Sequence, residues 1–342
     1  MLLAIETSCD DTAAAVWTGG AIDGALASSV VASQREHEAW GGVVPEIASR
    51  AHQRLIAPTV RAALSDAGVA AGELDAVAVT YGPGLAGALL VGLGYAKGLA
   101  LGLGVPLVGV NHLEGHIYSV FVEPPHPAFP FLCLTVSGGH TLLTLVREGF
   151  VHEELGRTRD DAAGEAFDKS ARLLGLPYPG GPHMDRLAAE GDAGFLELPS
   201  PRLRGEKAAG VADFSFSGLK TAVRYALDAV PEGERDAWLD RHRADVCASF
   251  QRAVVDALVG SVRDAVAQTG VRDVAIVGGV SANRGLRAAA QEAADAGGWA
   301  VHLPAMRFSV DNAAMIAVTA AHKLAAGHTS GLDLGAEPGL KL

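Results

Sequence analysis

The sequence predicts an α/β protein built from two duplicated halves, with a helical insertion in the second. Three observations carry that prediction. An apolar run, a polar turn and another apolar run open the chain, and the same pattern restarts near residue 131. An apolar strand running into a glycine turn and then a helix occurs in each half, at Val77–Thr80 and again at Val271–Val277. Between the second hairpin and that last strand, Asp160–Ala267 is mostly helical in its periodicity.

In chain order, Leu2–Ile5 reads as a strand, Glu6–Thr12 as a turn rich in hydroxyls and acids, and Ala13–Trp17 as the returning strand of a hairpin. A further strand covers Gly24–Ala32. A helix over Val44–Ala67 places Ile47, Leu55, Val60 and Leu64 at helical spacing. A buried strand at Ala76–Thr80, a helix from about Leu85 and a strand at Pro106–Val110 complete the first half. The uncharged stretch Ala76–Ala96 has the length of a membrane span. Its middle, Tyr81-Gly-Pro-Gly-Leu85, breaks a helix and Lys97 follows, so no membrane segment is expected. The second half opens with strands at Phe131–Val136 and Leu142–Val146 around the turn Ser137–Thr141. It ends with the strand Val271–Val277 and a helix from about Asn283.

A length of 342 residues suffices for two domains with their own cores, and 49% hydrophobic against 19% charged residues indicates a well-packed chain. The net charge of −12 argues against gripping nucleic acid through global charge. Local clusters are still available: Arg202, Arg204 and Lys207, or Arg235 with Arg241 and Arg243, for which ordinary solvated charge is the competing explanation. Cys9, Cys133 and Cys247 are odd in number and scattered, forming neither a disulfide framework nor a Cys-x-x-Cys pair. A reducing, cytoplasmic setting is expected. The first residues lack a basic region and reach Glu6 quickly, which does not read as a signal peptide.

His112-Leu-Glu-Gly-His116 ends an apolar run with two histidines four residues apart. One helical turn puts both imidazoles on one face, where they can share a divalent metal. A zinc-protease pattern would place the acid directly after the first histidine as general base. Here Glu114 sits two positions on, roughly 200° round the helix, and points away from a shared metal. Two histidines alone supply only part of a ligand set, so an unliganded surface or core pair is the alternative. Elsewhere, glycine turns after apolar strands offer backbone N–H groups to anions. Four of them at related positions point to a nucleotide site, although neither a dinucleotide fingerprint nor a Gly-Lys-Ser/Thr phosphate loop is present.

Eight motifs in order extend over essentially the whole chain. They are Ile5-Glu-Thr-Ser-Cys-Asp10, Asn111-His-Leu-Glu-Gly-His116, Val136-Ser-Gly-Gly-His-Thr141 and Asp160-Asp-Ala-Ala-Gly-Glu-Ala-Phe-Asp-Lys169, then Tyr178-Pro-Gly-Gly-Pro182, Phe214-Ser-Phe-Ser-Gly-Leu-Lys220, Gly278-Gly-Val-Ser-Ala-Asn-Arg284, and Asp311-Asn312 with Met315-Ile-Ala317. The chain thereby resembles the universal tRNA threonylcarbamoyladenosine transferase family, within the sugar-kinase/Hsp70/actin superfamily. The resemblance implies two duplicated RNase H-like domains of the actin, Hsp70 and sugar-kinase type with a central cleft. Residues 1–110, completed by about 311–342, would form the first, and residues 111–310, with the insertion at about 160–267, the second.

It further implies that His112, His116 and Asp311 hold one divalent metal, Fe(II) or else Zn(II), a donor set that suits either ion and leaves positions for substrate oxygens. Threonylcarbamoyl-AMP would lie on Thr135, Val136, Ser137, Gly138, Gly139, Asp168, Gly181, Asp185 and Asn283. The turn amides suit a phosphate, the two aspartates ribose hydroxyls, and Asn283 an adenine edge or a helix N-cap. Asp10 is the candidate base for the attacking adenosine amine, with a turn-capping role as its alternative. Lys169 and Lys220 are candidate phosphate or tRNA contacts. Ser309-Val310 before Asp311 and Ala313 after Asn312 depart from the family's usual residues, which bears on how the metal is tuned. By the same resemblance the expected partners are tRNA, a TsaB-like paralogue pairing through the N-terminal domain, a TsaE-like ATPase and a separate adenylate-forming enzyme. The rival activities are a metal-dependent peptidase, which Glu114 is misplaced to serve, and a sugar kinase or ATPase, which leaves the histidines unexplained.

Overall fold

The computed structural model describes residues 1–21, 23–40, 42–203, 211 and 213–342. The opening apolar run forms β1 (Leu2–Glu6), buried along its length, and β2 (Asp11–Thr18) returns antiparallel to it. β3 (Ala25–Ser33) continues the meander. Then come α1 (Pro45–Ala67), started by proline in its first turn and stopped by Gly68 in the left-handed conformation, and β4 (Ala76–Gly82), parallel to β1. α2 (Ala86–Leu103), β5 (Leu107–Asn111), parallel to β4, and the short α3 (His112–Tyr118) follow.

The pattern restarts with the antiparallel strands β6 (Phe131–Val136), β7 (Thr141–Arg147) and β8 (Val151–Arg157). α4 (Ala163–Leu173) and α5 (Gly180–Ala188) precede a short ladder of β9 (Arg202–Leu203) and β10 (Asp213–Phe214). α6 (Ser217–Asp228) and the 35-residue α7 (Arg235–Thr269) lead to β11 (Asp273–Val277), parallel to β6. α8 (Arg284–Gly297) and β12 (Ala300–His302), parallel to β11, come next, before α9 (Met306–Ser309) and α10 (Ala313–Ala325).

The two sheets share one topology. The first has the order β3-β2-β1-β4-β5 and the second, read from its other edge, β8-β7-β6-β11-β12. In each, three antiparallel strands are followed by two strands parallel to the first, so the expected duplication of an RNase H-like α/β domain is realised. Strands of the parallel part are covered on both faces and therefore read as unbroken apolar runs. β8 escaped the sequence reading because it alternates exposed and partly buried residues and is rich in charge, as suits an edge. β12 is too short to read. The insertion is mostly helical as expected, with the β9–β10 ladder added.

The chain divides into two compact units, residues Met1–His126 with Pro304–Leu342, and residues Pro127–Leu303. The first unit is longer than the sequence suggested, because α3 belongs with it: Gly115 lies against Met315 and Ile316 of α10, where a Cβ would stand only 2.8 Å from Ile316 Cδ1. Leu3, Ile5, Val16, Val77, Val79 and Leu93 build the first core with Ile56 and Val60 of α1. Leu132, Leu134, Leu143, Phe167, Phe250 and Ile276 anchor the second. α2 is long and apolar enough to cross a membrane by length and composition, and packs Ala88, Leu89, Leu93, Ala96 and Ala100 inward.

Two expectations follow. Gly278 has φ +87°, and a Cβ there would lie 2.6 Å from the Val136 carbonyl oxygen. Gly278→Ala should cost about 1–3 kcal/mol, read as a lowered urea midpoint of the second unit. An unchanged midpoint would contradict the close approach. Asp11 is the pH-sensitive acid of the opening hairpin: burial, then the Asp311 and Asp10 charges, raise its carboxyl from 3.8 to about 6 against the opposing Ser33 hydrogen bond. The native state thus holds this proton more tightly than the unfolded chain, and stability declines as pH rises through 3.8 to about 6. Asp11→Asn should raise the urea midpoint of metal-free protein at pH 7 more than at pH 4; equal changes at both would refute the assignment.

Candidate functional site

β5 ends at Asn111, whose side-chain oxygen accepts from Leu113 N at 2.8 Å and caps α3. His112 and His116 then lie one turn apart, with ring centroids 4.7 Å apart. The third residue comes from the far end of the chain. Asn312 accepts from Met315 N at 2.9 Å and donates to the Val310 carbonyl at 2.7 Å, fastening the backbone on both sides of Asp311. Asp311 Oδ1 stands 3.2 Å from His116 Nε2 and 3.5 Å from His112 Nε2. One donor atom from each residue falls within 4.8 Å of the others.

His116 is fully buried, yet neither ring nitrogen has a hydrogen-bond partner. Buried nitrogens are rarely left so. Ions such as Fe(II) or Zn(II) bind nitrogen and oxygen at about 2.0–2.2 Å, which sets neighbouring donors about 3–3.5 Å apart. The Asp311 distances to the two histidines, 3.2 and 3.5 Å, and the absence of any hydrogen bond at His116 Nε2 fit a metal held by two imidazoles and a carboxylate.

Around the trio lies a layer the sequence reading did not single out. Glu6, fully buried at the end of β1, accepts from Thr80 Oγ1 and from the Ser8 backbone N–H, and its Oε2 lies 3.1 Å from His112 Nδ1. Ser8 Oγ is 3.1 Å from the same nitrogen. Burial acts to raise the Glu6 carboxyl, but the His112 imidazole overrides it and holds the group below its ordinary value. For His112, burial acts downward while Asp311 and Glu6 pull it up to about 9. A bond from Nδ1–H to Glu6 directs Nε2 toward Asp311, the tautomer a ligating histidine needs. The available signal was an acid at the end of a wholly apolar strand, which must find donors.

Glu114 is turned away as its position implied, paired with Lys323 Nζ at 2.8 Å. Asp10 is half-buried in the hairpin turn two residues after Ser8, its carbonyl accepting from Gln34 N at 3.3 Å.

The second unit gathers the remaining predicted residues. Thr135 and Val136 are buried at the end of β6, so their side chains face the interior. Ser137 closes its own turn, N–H to the His140 carbonyl at 2.8 Å and Oγ accepting from His140 N at 3.1 Å. At Gly138 and Gly139 an added Cβ would meet nothing within 4 Å. Gly164 N at the start of α4 donates to the Ser137 carbonyl at 3.2 Å, and Gly278 approaches Val136 from behind.

The two aspartates expected at the ribose also bond the chain itself. Asp168 Oδ1 accepts from Gly180 N at 2.7 Å and Gly181 N at 3.3 Å, tying α4 to the start of α5. Burial raises its carboxyl despite those two amides. Asp185 receives Arg284 N at 3.1 Å on one oxygen and Arg284 Nε at 2.8 Å on the other. Asn283 takes its N-cap role, accepting from Leu286 N at 2.8 Å, and also donates to Gln251 Oε1 at 2.6 Å. These bonds link the Ser137 turn, α4, α5 and the start of α8 into one continuous framework.

Five of the basic candidates are also engaged. Lys169 Nζ reaches both oxygens of Asp161 at 2.7 Å. Arg202 pairs with Asp264, Arg235 with Asp228 at 3.2 Å, Arg241 Nε with the Ala237 carbonyl at 3.1 Å and Arg243 Nε with the Leu174 carbonyl at 2.9 Å. Arg204 and Lys207 lie outside the described residues.

Comparison with known proteins matches this architecture to a family. The family model "TsaD: tRNA N6-adenosine threonylcarbamoyltransferase" matches residues 25–318. A tRNA N6-adenosine threonylcarbamoyltransferase of Salinibacter ruber is 56% identical over 343 residues, covering 100% of both chains. One of Pelobacter propionicus is 51% identical, covering 98% of this chain and 95% of its own length. Among solved structures, full-length HypF in its phosphate- and nucleotide-bound form aligns with a TM-score of 0.60 at 13% identity, over 94% of this chain and 54% of HypF, a likeness of fold. The chain belongs to the TsaD family, the tRNA N6-adenosine threonylcarbamoyltransferases, enzymes that act on tRNA.

Proposed function

We propose that this chain transfers the threonylcarbamoyl group of threonylcarbamoyl-AMP to the exocyclic amine of the adenosine 3′-adjacent to the anticodon, in tRNAs reading ANN codons. One divalent metal, Fe(II) or Zn(II), would be held by His112, His116 and Asp311. The observation that supports this most is the buried His116 ring, with neither nitrogen hydrogen-bonded and Nε2 facing Asp311. When bound, such a metal supplies Lewis-acid polarisation of an acyl or phosphoryl oxygen.

The remaining roles fall to the chain's own groups. The Ser137–Gly139 turn carries the AMP phosphate on its backbone, and the open space over Gly138 and Gly139 supports that reading. Asp168 and Asp185 would accept from the ribose hydroxyls while tying α4, α5 and α8 together, Asn283 would meet the adenine edge as well as cap α8, and Gly181 lies beside Asp168. Attack forms the N–C bond, AMP departs with the bonding electrons, and Asp10 takes the proton released by the amine. Glu6 and Ser8 keep His112 oriented. A peptidase is disfavoured because Glu114, its only nearby acid by motif, is committed to Lys323.

A TsaB-like paralogue pairing through the N-terminal domain suits the apolar outer face of α2, where Leu90 and Leu101 are 61% and 69% exposed. A TsaE-like ATPase, an adenylate-forming enzyme and a cytoplasmic setting complete the reading. With a net charge of −12, sharing the tRNA among several chains is the simplest way to hold it.

In cells depleted of the protein, mass spectrometry of tRNA nucleosides should show loss of threonylcarbamoyladenosine that wild type restores and His112→Ala does not. Purified Asp311→Asn should retain less than about a tenth of the wild-type bound metal, as expected when a three-residue site loses its carboxylate. Full rescue by His112→Ala would overturn the metal-site account. Gly138→Ala should fold with an unchanged thermal midpoint, since its Cβ meets open space, and weaken donor binding about tenfold, one lost phosphate contact being worth about 1.4 kcal/mol. Unaltered donor affinity would remove the turn from the site.

A further inference from the structure

Behind the hairpin turn that carries Ser8 and Asp10 lies a fully buried histidine with no role in the reading above. His52, on α1, places Nε2 2.9 Å from the Cys9 carbonyl oxygen and Nδ1 2.7 Å from Thr12 Oγ1. A carbonyl can only accept, so Nε2 carries the proton. Burial holds the imidazole below its ordinary value, which keeps it neutral. Nδ1 is therefore an acceptor, and the Thr12 hydroxyl donates to it and selects this tautomer. The Gln34 amide nitrogen, itself a donor, lies 3.4 Å from Nε2 as a packing contact only.

The flanking carbonyls are held as well. The Ser8 carbonyl accepts from Leu85 N at 2.8 Å, and the Asp10 carbonyl accepts from Gln34 N at 3.3 Å. Gln34 is steadied in turn by His37, whose Nε2 lies 3.1 Å from Gln34 Oε1 and whose Nδ1 accepts from Val44 N at 3.3 Å. Three consecutive peptide carbonyls are thus captured, from the residue that precedes α2, from α1 and from the residue that follows β3. Of these holds, only the one on Cys9 is made by a side chain. Ser8 passes that constraint to His112 Nδ1, 3.1 Å away.

We propose that His52 is a positioning residue for the transfer reaction, its Nε2–H bond to the Cys9 carbonyl setting where the Ser8–Asp10 turn presents the Asp10 carboxylate. The inference rests on the role given to Asp10 above. A group displaced by about 1 Å can lose about a hundredfold in rate while substrate still binds, so the effect belongs in the chemical step.

The test uses the purified full chain with donor, tRNA and whatever accessory proteins wild type requires, measured under single-turnover conditions. Thr12→Val keeps the shape of its site but frees the tautomer, and His52→Phe removes the donor. Both should slow the transfer at least tenfold, with donor KM and bound metal within about twofold of wild type. Thr12→Ser should recover the rate, as should His52→Gln, whose amide can still donate to the carbonyl. If His52→Phe fails to fold, the Thr12 pair decides. Wild-type rates in Thr12→Val, or a Thr12→Ser as slow as Thr12→Val, would overturn the proposal, as would losses that simply follow the thermal midpoint. Asp10→Ala in the same assay keeps the two ideas apart. Full activity there refutes the Asp10 role, whereas an inactive Asp10→Ala beside a fully active Thr12→Val refutes the positioning role alone.

Discussion

Glu6 ends the central strand of the first sheet with no exposure to solvent, and a carboxylate in that position must be surrounded by donors. It is met by the Thr80 hydroxyl from β4, the Ser8 amide from the hairpin turn and the His112 imidazole from α3. Three separate segments are tied to one buried charge. Removing any of them would leave a charged oxygen without its partner, at a cost of several kcal/mol. The geometry of the His112–His116–Asp311 trio therefore depends on a residue that is not a member of it.

Asp311 reaches the same place by another route. Asn312 both caps α10 and bonds the carbonyls before Asp311, so the carboxylate is presented from a backbone with little freedom. Gly115 lets α3 approach α10 closely enough for the two to meet, and Glu114 pairs with Lys323 farther along the same contact. The glutamate that looked misplaced for peptide hydrolysis instead joins the helix bearing the histidines to the helix behind the aspartate. The second unit is tied in a similar way: Asp168, Asp185 and Asn283 each bond the polypeptide, and the backbone at Gly138 and Gly139 is left open.

Much of this was legible in advance. The alternation of apolar runs and glycine turns located most strands within one or two residues, because strands covered on both faces must be continuously apolar. The i, i+4 histidines defined a common helix face, and ordered motifs along the whole chain identified the family. β8 was missed because an edge strand satisfies no strict period, and β12 because three residues carry no pattern. The bonds that Asp168 and Asp185 make to the chain could not be read in advance, since a one-letter pattern does not say which donor an acid will meet.

By itself, then, the sequence determined the duplicated α/β fold and the family, and it marked the candidate residues for a metal and a nucleotide. It did so because periodicity and motif order are local or linear properties. Only the tertiary structure decided that Glu6 and Ser8 orient His112, that Asn283 is a helix cap, and that His52 grips the turn beneath Asp10. Those facts depend on contacts between residues tens to hundreds of positions apart. A buried polar group takes whichever partner folding delivers to it, and that choice is made in three dimensions.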